Sequence, residues 1–477
     1  MASDRYDAVV VGSGPNGLAA AITLSQAGRS VAMFEAADTI GGGMRSAELT
    51  LPGFLHDVCS ATHPLGKASP FFASLDLERH GLEWIEPPIQ LAHPLDDGSA
   101  ALVQRDMDET AMSLGSDAKA YRRLIGPTVR SWDGLIGDVL APFHIPVRLD
   151  RAFSLARFGL DAFQPATWLA RSFKHPQSRA LFAGAAAHSQ LRLGEPISGA
   201  FGVLFLASAH AVGWPFARDG SARIGEALAA VLTELGGEVT TSRLISRVED
   251  LPPNRATLFD VTPRQLLAIA GERLSGGYAR SLRRFRYGPG TFKLDLALDG
   301  PIPWRNPALA EAGTVHLGGT FEEIAAGEVA VAAGRVPDRP FVLLAQQSLF
   351  DPSRAPAGRH TAWAYCHVPN GSPVDMSERI IDQIERFAPD VRDRIIGQHA
   401  MGPADLEAYN ANYVGGDING GRQDLGQLFT RPAIRVDPYA TPDPGIFLCS
   451  SSTPPGGGVH GMCGYHAARS ALGRALR

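Results

Sequence analysis

The stretch DAVVVGSGPNGLAAAITLSQAGRSVAMFEA, residues 7–36, decides the fold of this chain. Its apolar and small residues predict a buried strand over residues 6–11, a helix over 18–26 and a second strand over 31–34. Strand, glycine turn, helix and strand in this order make a βαβ unit. The free N–H groups at the start of such a helix stabilise an anion. We therefore predict an α/β fold with a Rossmann-like dinucleotide-binding sheet.

Three glycines and one acidic residue carry the binding prediction. Gly12, Gly14 and Gly17 form G-x-G-x-x-G, in which the first makes the tight turn, the second admits a pyrophosphate and the third lets helix and strand pack closely. Glu35 ends the second strand at the distance expected of the carboxylate that binds a ribose hydroxyl. The predicted cofactor residues of this unit also include Pro15, Asn16 and Ala36.

A glycine doublet follows in AADTIGGGMRS, residues 36–46. It resembles the doublet that follows the Rossmann unit in glutathione-reductase-like flavoproteins. The resemblance implies that the dinucleotide is FAD, with Gly42, Gly43, Met44 and Arg45 along its pyrophosphate and ribityl chain. An ordinary glycine turn is the alternative interpretation.

Length, charge and cysteine content narrow the class of protein. A chain of 477 residues is expected to form about two to four folding units. Its formal charge of -5 gives no basic field, so we expect no nucleic-acid partner. The four cysteines form no C-x-x-C, which argues against a redox-active disulfide and for a reducing compartment. The sequence starts without an apolar leader, so we expect a cytoplasmic protein.

Two segments bear on membranes. Residues 197–216 are the most apolar part of the chain, but their glycines, histidine and proline favour a buried helix or tunnel wall over a membrane span. The basic run RSLRRFRY, residues 280–287, is interpreted as a solvated strand face. A lip that attracts anionic lipid is the alternative, so peripheral membrane contact is one possible partner interaction.

The predicted cofactor domain is discontinuous. Its three pieces are residues 1–74, 218–295 and 435–477, and two insertions, 75–217 and 296–434, form an α+β substrate domain. The first insertion has mostly helical patterns, and the second mixes strands with a helix.

The second cofactor piece returns the chain to the first sheet. It has helical apolar spacing over residues 224–235 and an alternating pattern, typical of a strand pair, over 239–248. In related flavoproteins the strand of this piece presents a backbone group to the adenine. That resemblance implies the same position for Ile245.

The C-terminal piece repeats the order strand, glycine loop, helix, over residues 446–449, 453–458 and 459–472. Its glycines match G-x-G-x-x-G, but no acidic residue follows at ribose distance, so a second nucleotide site is disfavoured. A helix start facing the N1/O2 edge of a flavin would stabilise the anionic reduced form. The predicted cofactor residues here are Ser451, Gly458, Val459 and His460.

Four stretches together resemble the phytoene desaturase and carotenoid isomerase superfamily. They are FDVTPRQLLAIAG at 259–271, YGPGTFKLDLAL at 287–298, NANYVGGDINGG at 410–421 and PPGGGVHGMCGYHAARSAL at 454–472. The branch is the bacterial group similar to pyridine nucleotide-disulphide oxidoreductase domain-containing protein 2. One departure is that residues 450–452 are serines where many amine-oxidase-like relatives carry an acidic residue.

The resemblance implies an FAD-dependent oxidoreductase that acts on carbon–carbon bonds of an apolar substrate, such as a terpenoid, polyene or fatty acyl chain. A redox-neutral double-bond isomerase is a variant of this reaction. Amine oxidation is a weaker alternative, because the sequence does not reveal an aromatic pair that would flank an amine. A non-enzymatic prenyl-chain chaperone is the remaining alternative.

Three histidines are the candidate catalytic residues. His460 follows the last glycine loop, where the resemblance places the pyrimidine edge of the flavin, and it is expected to donate to O2 or relay a proton. His63 and His367 follow apparently buried segments and are expected to line the substrate cavity, with a structural role as the alternative. We assign no metal ligands, and the number of associating chains stays open.

Overall fold

Sixteen strands run through residues 6–144 and 146–477, which are the residues that the structure, a computed structural model, describes. In chain order they are β1 Tyr6–Val11, β2 Val31–Phe34, β3 Ser46–Glu48, β4 Leu55–Asp57, β5 Trp84–Ile85, β6 Ile89–Pro94, β7 Ala100–Gln104, β8 Phe216–Ala217, β9 Glu238–Thr240, β10 Asn254–Phe259, β11 Gly290–Leu298, β12 Ala312–Leu317, β13 Val342–Ala345, β14 His360–Val368, β15 Ile395–Met401 and β16 Ile446–Leu448.

The α-helices pack on and between these strands. They are α1 Pro15–Gln26, α2 Pro64–Lys67, α3 Pro70–Ala73, α4 Met107–Ser113, α5 Ala118–Arg130, α6 Trp132–Val139, α7 Leu149–Ala162, α8 Ala166–Leu169, α9 Pro176–Ala187, α10 Ser198–Ala211, α11 Ala222–Glu234, α12 Pro263–Ala270, α13 Gly276–Arg283, α14 Phe321–Ala332, α15 Ser377–Glu385, α16 Pro403–Tyr409, α17 Leu425–Leu428 and α18 Met462–Leu472.

The first sheet is Rossmann-like and confirms the predicted fold class. Its order is β16-β10-β1-β2-β9, and all neighbours are parallel. Helix α1 follows β1 and begins at Pro15, three residues earlier than predicted, because proline is accommodated in the first turn of a helix. Strands from three distant parts of the chain therefore end at the same edge of one sheet.

The second sheet has the order β15-β11-β14-β13-β12-β6-β7 and is mostly antiparallel, with a parallel pair between β6 and β12. Strand β11 belongs to it, so residues 290–295, which the sequence analysis assigned to the cofactor piece 218–295, lie in this second sheet. All nine residues of β11 are buried, and the strand pairs with β14 on one side and β15 on the other.

Three local predictions were wrong. Residues 239–248 form only the short strand β9, followed by irregular chain, because just three residues pair with β2. The first half of the basic run, residues 280–283, lies in helix α13, whose buried Tyr278, Ala279 and Leu282 share one helical face. Helix α18 begins at Met462 instead of residue 459, since Gly461 before it has a left-handed φ of 70°.

Helix α10 occupies most of the apolar stretch 197–216. It packs closely on α9, because a Cβ at Gly202 would lie 2.8 Å from the ring of Phe182. Among the helices of the described residues, none is long and apolar enough to cross a membrane. The interpretation as a packed wall holds for this helix.

Candidate active site

A cavity of about 780 Å³ extends from the glycine loops of the first sheet to the face of the second sheet. Thirteen of the predicted cofactor residues line it. They are Gly12, Gly14, Pro15, Asn16, Glu35, Ala36, Gly42, Gly43, Arg45, Ile245, Ser451, Gly458 and Val459. Residues that are several hundred positions apart in the sequence thus line the same cavity. We call this part of the cavity the cofactor end.

The glycine loops have no room for side chains. A Cβ at Gly17 would overlap the carbonyl oxygen of Gly12, and Gly12 itself has a φ of 100°. A Cβ at Gly42 would lie 3.0 Å from the Cα of Gly14, so the glycine doublet touches the first loop. Gly17 does not line the cavity, since its N–H donates to Asp260 Oδ2 at 2.9 Å. The bare backbone that remains suits the close approach of a pyrophosphate.

Glu35 is held rigidly at the end of β2. Its Oε2 accepts hydrogen bonds from the N–H and hydroxyl of Ser13 at 2.8 and 2.6 Å, and its Oε1 accepts from the N–H of Ala37 at 2.9 Å. The guanidinium of Arg45 lies 3.3 Å from Oε1. A carboxylate offers about four acceptor positions, so Glu35 can still accept a hydrogen bond from a ribose hydroxyl. Asn16 Oδ1 is buried without a partner among the described residues, which also fits a polar ligand.

Asp260 is a site residue that the sequence analysis missed. It follows β10, and burial, with a contribution from the charge of Glu35, raises its pKa to about 7. A Cβ at Gly14 would lie 2.7 Å from its carboxyl oxygen. The signal was present in the stretch FDVTP, where an acidic residue ends a buried strand beside the glycine loop in the parallel sheet.

His460 does not line the cavity. Its ring is 1% exposed, and Nδ1 accepts the N–H of Met462 at 3.0 Å, while Ser69 donates to its carbonyl oxygen at 2.6 Å. Burial lowers its pKa to about 4. The expectation that it donates to the flavin is therefore corrected, because the ring turns inward to anchor the start of α18. Met44 is likewise fully buried and packs in the core near Gly225.

The other two predicted histidines lie in different places. His63 lines the cavity, and its Nε2 lies 2.8 Å from the hydroxyl of Ser221. Burial lowers its pKa to about 4, so it is neutral near pH 7. His367 lies on β14 outside the cavity wall, where its Nδ1 contacts Glu328 Oε1 at 2.7 Å. This buried partner accounts for the inward position of His367.

The far part of the cavity, which we call the substrate end, is largely aromatic and aliphatic. Trp363 and Tyr365 are two residues apart on β14 and therefore share one face, with ring centroids 5.3 Å apart at 78°. They form an aromatic pair that the sequence analysis did not identify. The alternation of small and aromatic residues in AWAYC, residues 362–366, could have indicated this pair. The remaining lining side chains here include His188, Phe201, Leu204, Phe205, Trp214 and Leu343.

Comparison with known proteins agrees with this geometry. Residues 10–76 match the family of NAD(P)-binding Rossmann-like domains. The chain is 25% identical to pyridine nucleotide-disulfide oxidoreductase domain-containing protein 2 of Rattus norvegicus over 97% of its own length and 93% of the relative. It is homologous to that protein, as the sequence predicted. It is also 27% identical to a limonene dehydrogenase subunit of Castellaniella defragrans, over 25% of this chain and 22% of the relative.

Solved structures share the fold. An oxidoreductase from Methanosarcina mazei superposes with a TM-score of 0.63 at 16% identity, covering 98% of this chain and 99% of that chain. Wild-type putrescine oxidase bound to putrescine gives 0.62 at 16% identity and covers 98% of each chain. The chain has the fold of these oxidoreductases and carries an NAD(P)-binding Rossmann-like unit.

The residues at the cofactor end fit FAD. Gly12 and Gly14 would receive the pyrophosphate, Glu35 the adenosine ribose, and Arg45 the adjoining chain of the ligand. FAD supplies the group that accepts or returns hydride, and the protein supplies orientation and electrostatics.

Proposed function

We propose that the chain oxidises or rearranges a carbon–carbon bond of an apolar substrate, such as a terpenoid, polyene or fatty acyl chain. The observation that carries the proposal is the absence of a carboxylate from the substrate end. Within the described residues, the acidic side chains lining the cavity are Glu35 and Asp260, and both lie at the cofactor end. A buried ammonium without a carboxylate partner is costly, whereas an apolar molecule gains free energy from burial.

Aromatic and aliphatic side chains form the walls of the substrate end. Phe205 and Trp214 pack against His188, with ring centroids 4.7 and 5.4 Å from it. Helix α10 closes this side with Phe201 and Leu204. The limited similarity to a limonene dehydrogenase, whose name gives a terpene hydrocarbon as substrate, is consistent with such a cavity.

Amine oxidation is the second candidate function. The pair of Trp363 and Tyr365 favours it, because aromatic faces attract a cationic or amine group. The fold of putrescine oxidase is a further point in its favour. The missing carboxylate argues against it.

Anaerobic mixing of the holoenzyme with unsaturated terpenoids, polyenes, acyl chains and primary amines tests these alternatives. Flavin bleaching with an apolar substrate is expected and indicates oxidation, while product without lasting bleaching indicates isomerisation.

Leu204→Glu places a carboxylate in the substrate end and should shift the preference toward amines. The matched control Leu235→Glu lies on an exposed helix end and should change nothing. Bleaching of the wild type by amines alone would overturn the proposal.

We further propose that the α7 surface docks on an anionic lipid surface. It consists of exposed apolar side chains, namely Phe143, Leu149, Phe153, Leu160, Phe163, Trp168 and Phe429. Rings of Phe143 and Phe163 each lie 6.0 Å from that of Phe429, which joins α7 to a distant segment. Residues 143–175 carry five Arg or Lys against two Asp. Three of the arginines pair with Asp150, Asp138 and Asp161, so Arg171 and Lys174 supply the positive charge that has no ion-pair partner among the described residues. Since α7 packs on α10, the surface adjoins the wall of the substrate end.

Vesicle sedimentation tests this surface. The wild type should bind phosphatidylcholine vesicles that contain phosphatidylserine, and bind pure phosphatidylcholine more weakly. A Leu149→Ser, Phe153→Ser, Leu160→Ser variant should lose binding, while the control Met112→Ser, Val329→Ser, which changes exposed residues elsewhere, should keep it. Equal binding by both variants would contradict the proposal.

A further inference from the structure

Two histidines contact each other behind the substrate end. Nε2 of His188 lies 3.0 Å from Nε2 of His316. His188 directly follows α9 and lines the cavity, whereas His316 lies on β12 and is fully buried. Two ring nitrogens at this distance share one hydrogen, so one donates and the other accepts.

A glycine makes the contact possible. A Cβ at Gly184 would lie 2.6 Å from Nδ1 of His316, so any side chain there would push the imidazole away. Gly184 and His188 are four residues apart and occupy the same side of α9. His316 therefore packs on the glycine and reaches the histidine one turn later. Gly184 thus allows the two histidines to contact each other.

Both rings are neutral near pH 7. Burial lowers the pKa of His188 to about 3, and burial together with neighbouring histidines lowers that of His316 well below its usual range. The titratable groups around the pair are His93, whose Nε2 contacts the carbonyl of Gly319 at 2.8 Å, and His367, which is paired with Glu328. No described carboxylate contacts either ring of the pair.

Hydrogen-bond satisfaction decides which nitrogen carries each hydrogen. Nδ1 of His316 faces Gly184 and has no partner among the described residues. An orphaned buried N–H is rarer than an under-used acceptor, so the hydrogen of His316 belongs on Nε2. It then donates to Nε2 of His188, which leaves the hydrogen of His188 on Nδ1. That atom makes no hydrogen bond within residues 6–144 and 146–477.

We infer that His188, oriented by His316, donates a hydrogen bond to a neutral oxygen atom, carbonyl or hydroxyl, of an otherwise apolar substrate. The inference rests on the proposed function and narrows its substrate class. A ligand without such an oxygen leaves a buried donor unpaired, and a protonated amine has no lone pair to offer. His188 is thus a specificity-determining residue, and His316 is a positioning residue.

Binding of a matched pair of probes tests the inference without turnover. Carvone is limonene in which one ring CH2 is a ketone, and each is mixed anaerobically with the oxidised holoenzyme, with the Kd taken from the change in the flavin spectrum that precedes any bleaching. The ratio of the limonene Kd to the carvone Kd should be about tenfold higher in the wild type than in His188→Leu, as one neutral hydrogen bond predicts. His316→Leu should lose part of this preference. His93→Gln, a buried control away from the cavity wall, should retain it.

The two proposals fail separately. An equal ratio in the wild type and His188→Leu overturns the role of His188, even if apolar substrates bleach the flavin. If no apolar substrate either bleaches the flavin or gives an isomerised product, the proposed function is overturned, and the ratio is left intact. Nitrogen-15 NMR of histidine-labelled wild type provides a second test if a variant does not fold. A protonated Nδ1 on His188 and a bare Nδ1 on His316 are expected, and the reverse pattern overturns the inference.

Discussion

Gly14 shows that space, and not backbone freedom, selects glycine at the centre of the first loop. Its φ is -65°, a value open to any residue, but an added Cβ would lie 2.7 Å from the carboxyl oxygen of Asp260. The loop, the Asp260 carboxyl group and the cofactor end of the cavity thus lie so close together that they leave no room for a side chain at position 14.

Gly14→Ala should reduce the flavin content of the purified protein by about tenfold or more, since one methyl group displaces Asp260 and enters the pyrophosphate position. The ratio of flavin absorbance to protein absorbance measures this. Gly277→Ala, at a helical position with open space around its Cα, is the control and should remain fully yellow. Full flavin content in Gly14→Ala would show that the cofactor lies elsewhere.

Asp260 makes cofactor affinity depend on pH. Its pKa is raised to about 7, so the carboxyl group is neutral below that pH and anionic above it. An anionic carboxylate repels a pyrophosphate, and the affinity of the wild type for FAD should therefore fall as pH rises through about 7. We expect a loss of about tenfold, or about 1.4 kcal/mol. Asp260→Asn cannot ionise and should show a flat profile.

Fluorescence titration of FAD at several pH values between about 6 and 8 measures this dependence. The exposed Asp38 is the matched control, and Asp38→Asn should follow the wild type. Parallel curves for the wild type and Asp260→Asn would contradict the role given to this carboxyl group.

At the scale of elements, α1 and α18 approach each other at their starts. A Cβ at Gly464 would overlap the carbonyl oxygen of Asn16, so a glycine in α18 permits the contact with α1. His460 holds the start of α18 by accepting the N–H of Met462. The two helices and the two glycine loops before them thus form one unit around the cofactor end.

His460→Ala should lower the free energy of unfolding by about 1–3 kcal/mol, because it leaves a buried N–H without an acceptor. His460→Asn retains a side-chain acceptor at the helix start and should recover part of the loss. Thermal unfolding of the three proteins provides the comparison. If His460→Ala keeps its stability but slows flavin reduction, the ring acts on the cofactor after all.

At the scale of the molecule, the cofactor joins segments that are far apart in the chain. Residues near 12, 42, 245 and 458 line one cavity, so FAD contacts all of them only in the folded state. Removal of FAD should lower the thermal midpoint, and addition of FAD at about 1,000 times its Kd should restore about 4 kcal/mol of stability. Differential scanning calorimetry at several FAD concentrations measures the effect. A midpoint independent of FAD would contradict it.

Local signals were sufficient for the βαβ unit of the first sheet, formed by β1, α1 and β2. The glycines at 12, 14 and 17, and Glu35 after β2, are close in sequence, and backbone sterics alone connect them to a βαβ unit and its dinucleotide. Strand β1 and strand β2 followed from this stretch, and the glycine doublet just after it, in residues 36–46, carried the first resemblance to flavoproteins. These features depend on short-range geometry, so the amino-acid sequence alone is enough to predict them.

Tertiary packing decided the rest. Whether a histidine faces the cavity depends on neighbours far away in the sequence. Ser69 donates to the carbonyl oxygen of His460, whose ring turns inward, whereas His188 contacts His316 on β12, which packs against Gly184. Trp363 and Tyr365 line the same cavity as the glycine loops only because the second sheet closes it. The sequence alone therefore determined the cofactor fold. The orientation of the groups at the substrate end came from long-range packing, which no local pattern encodes.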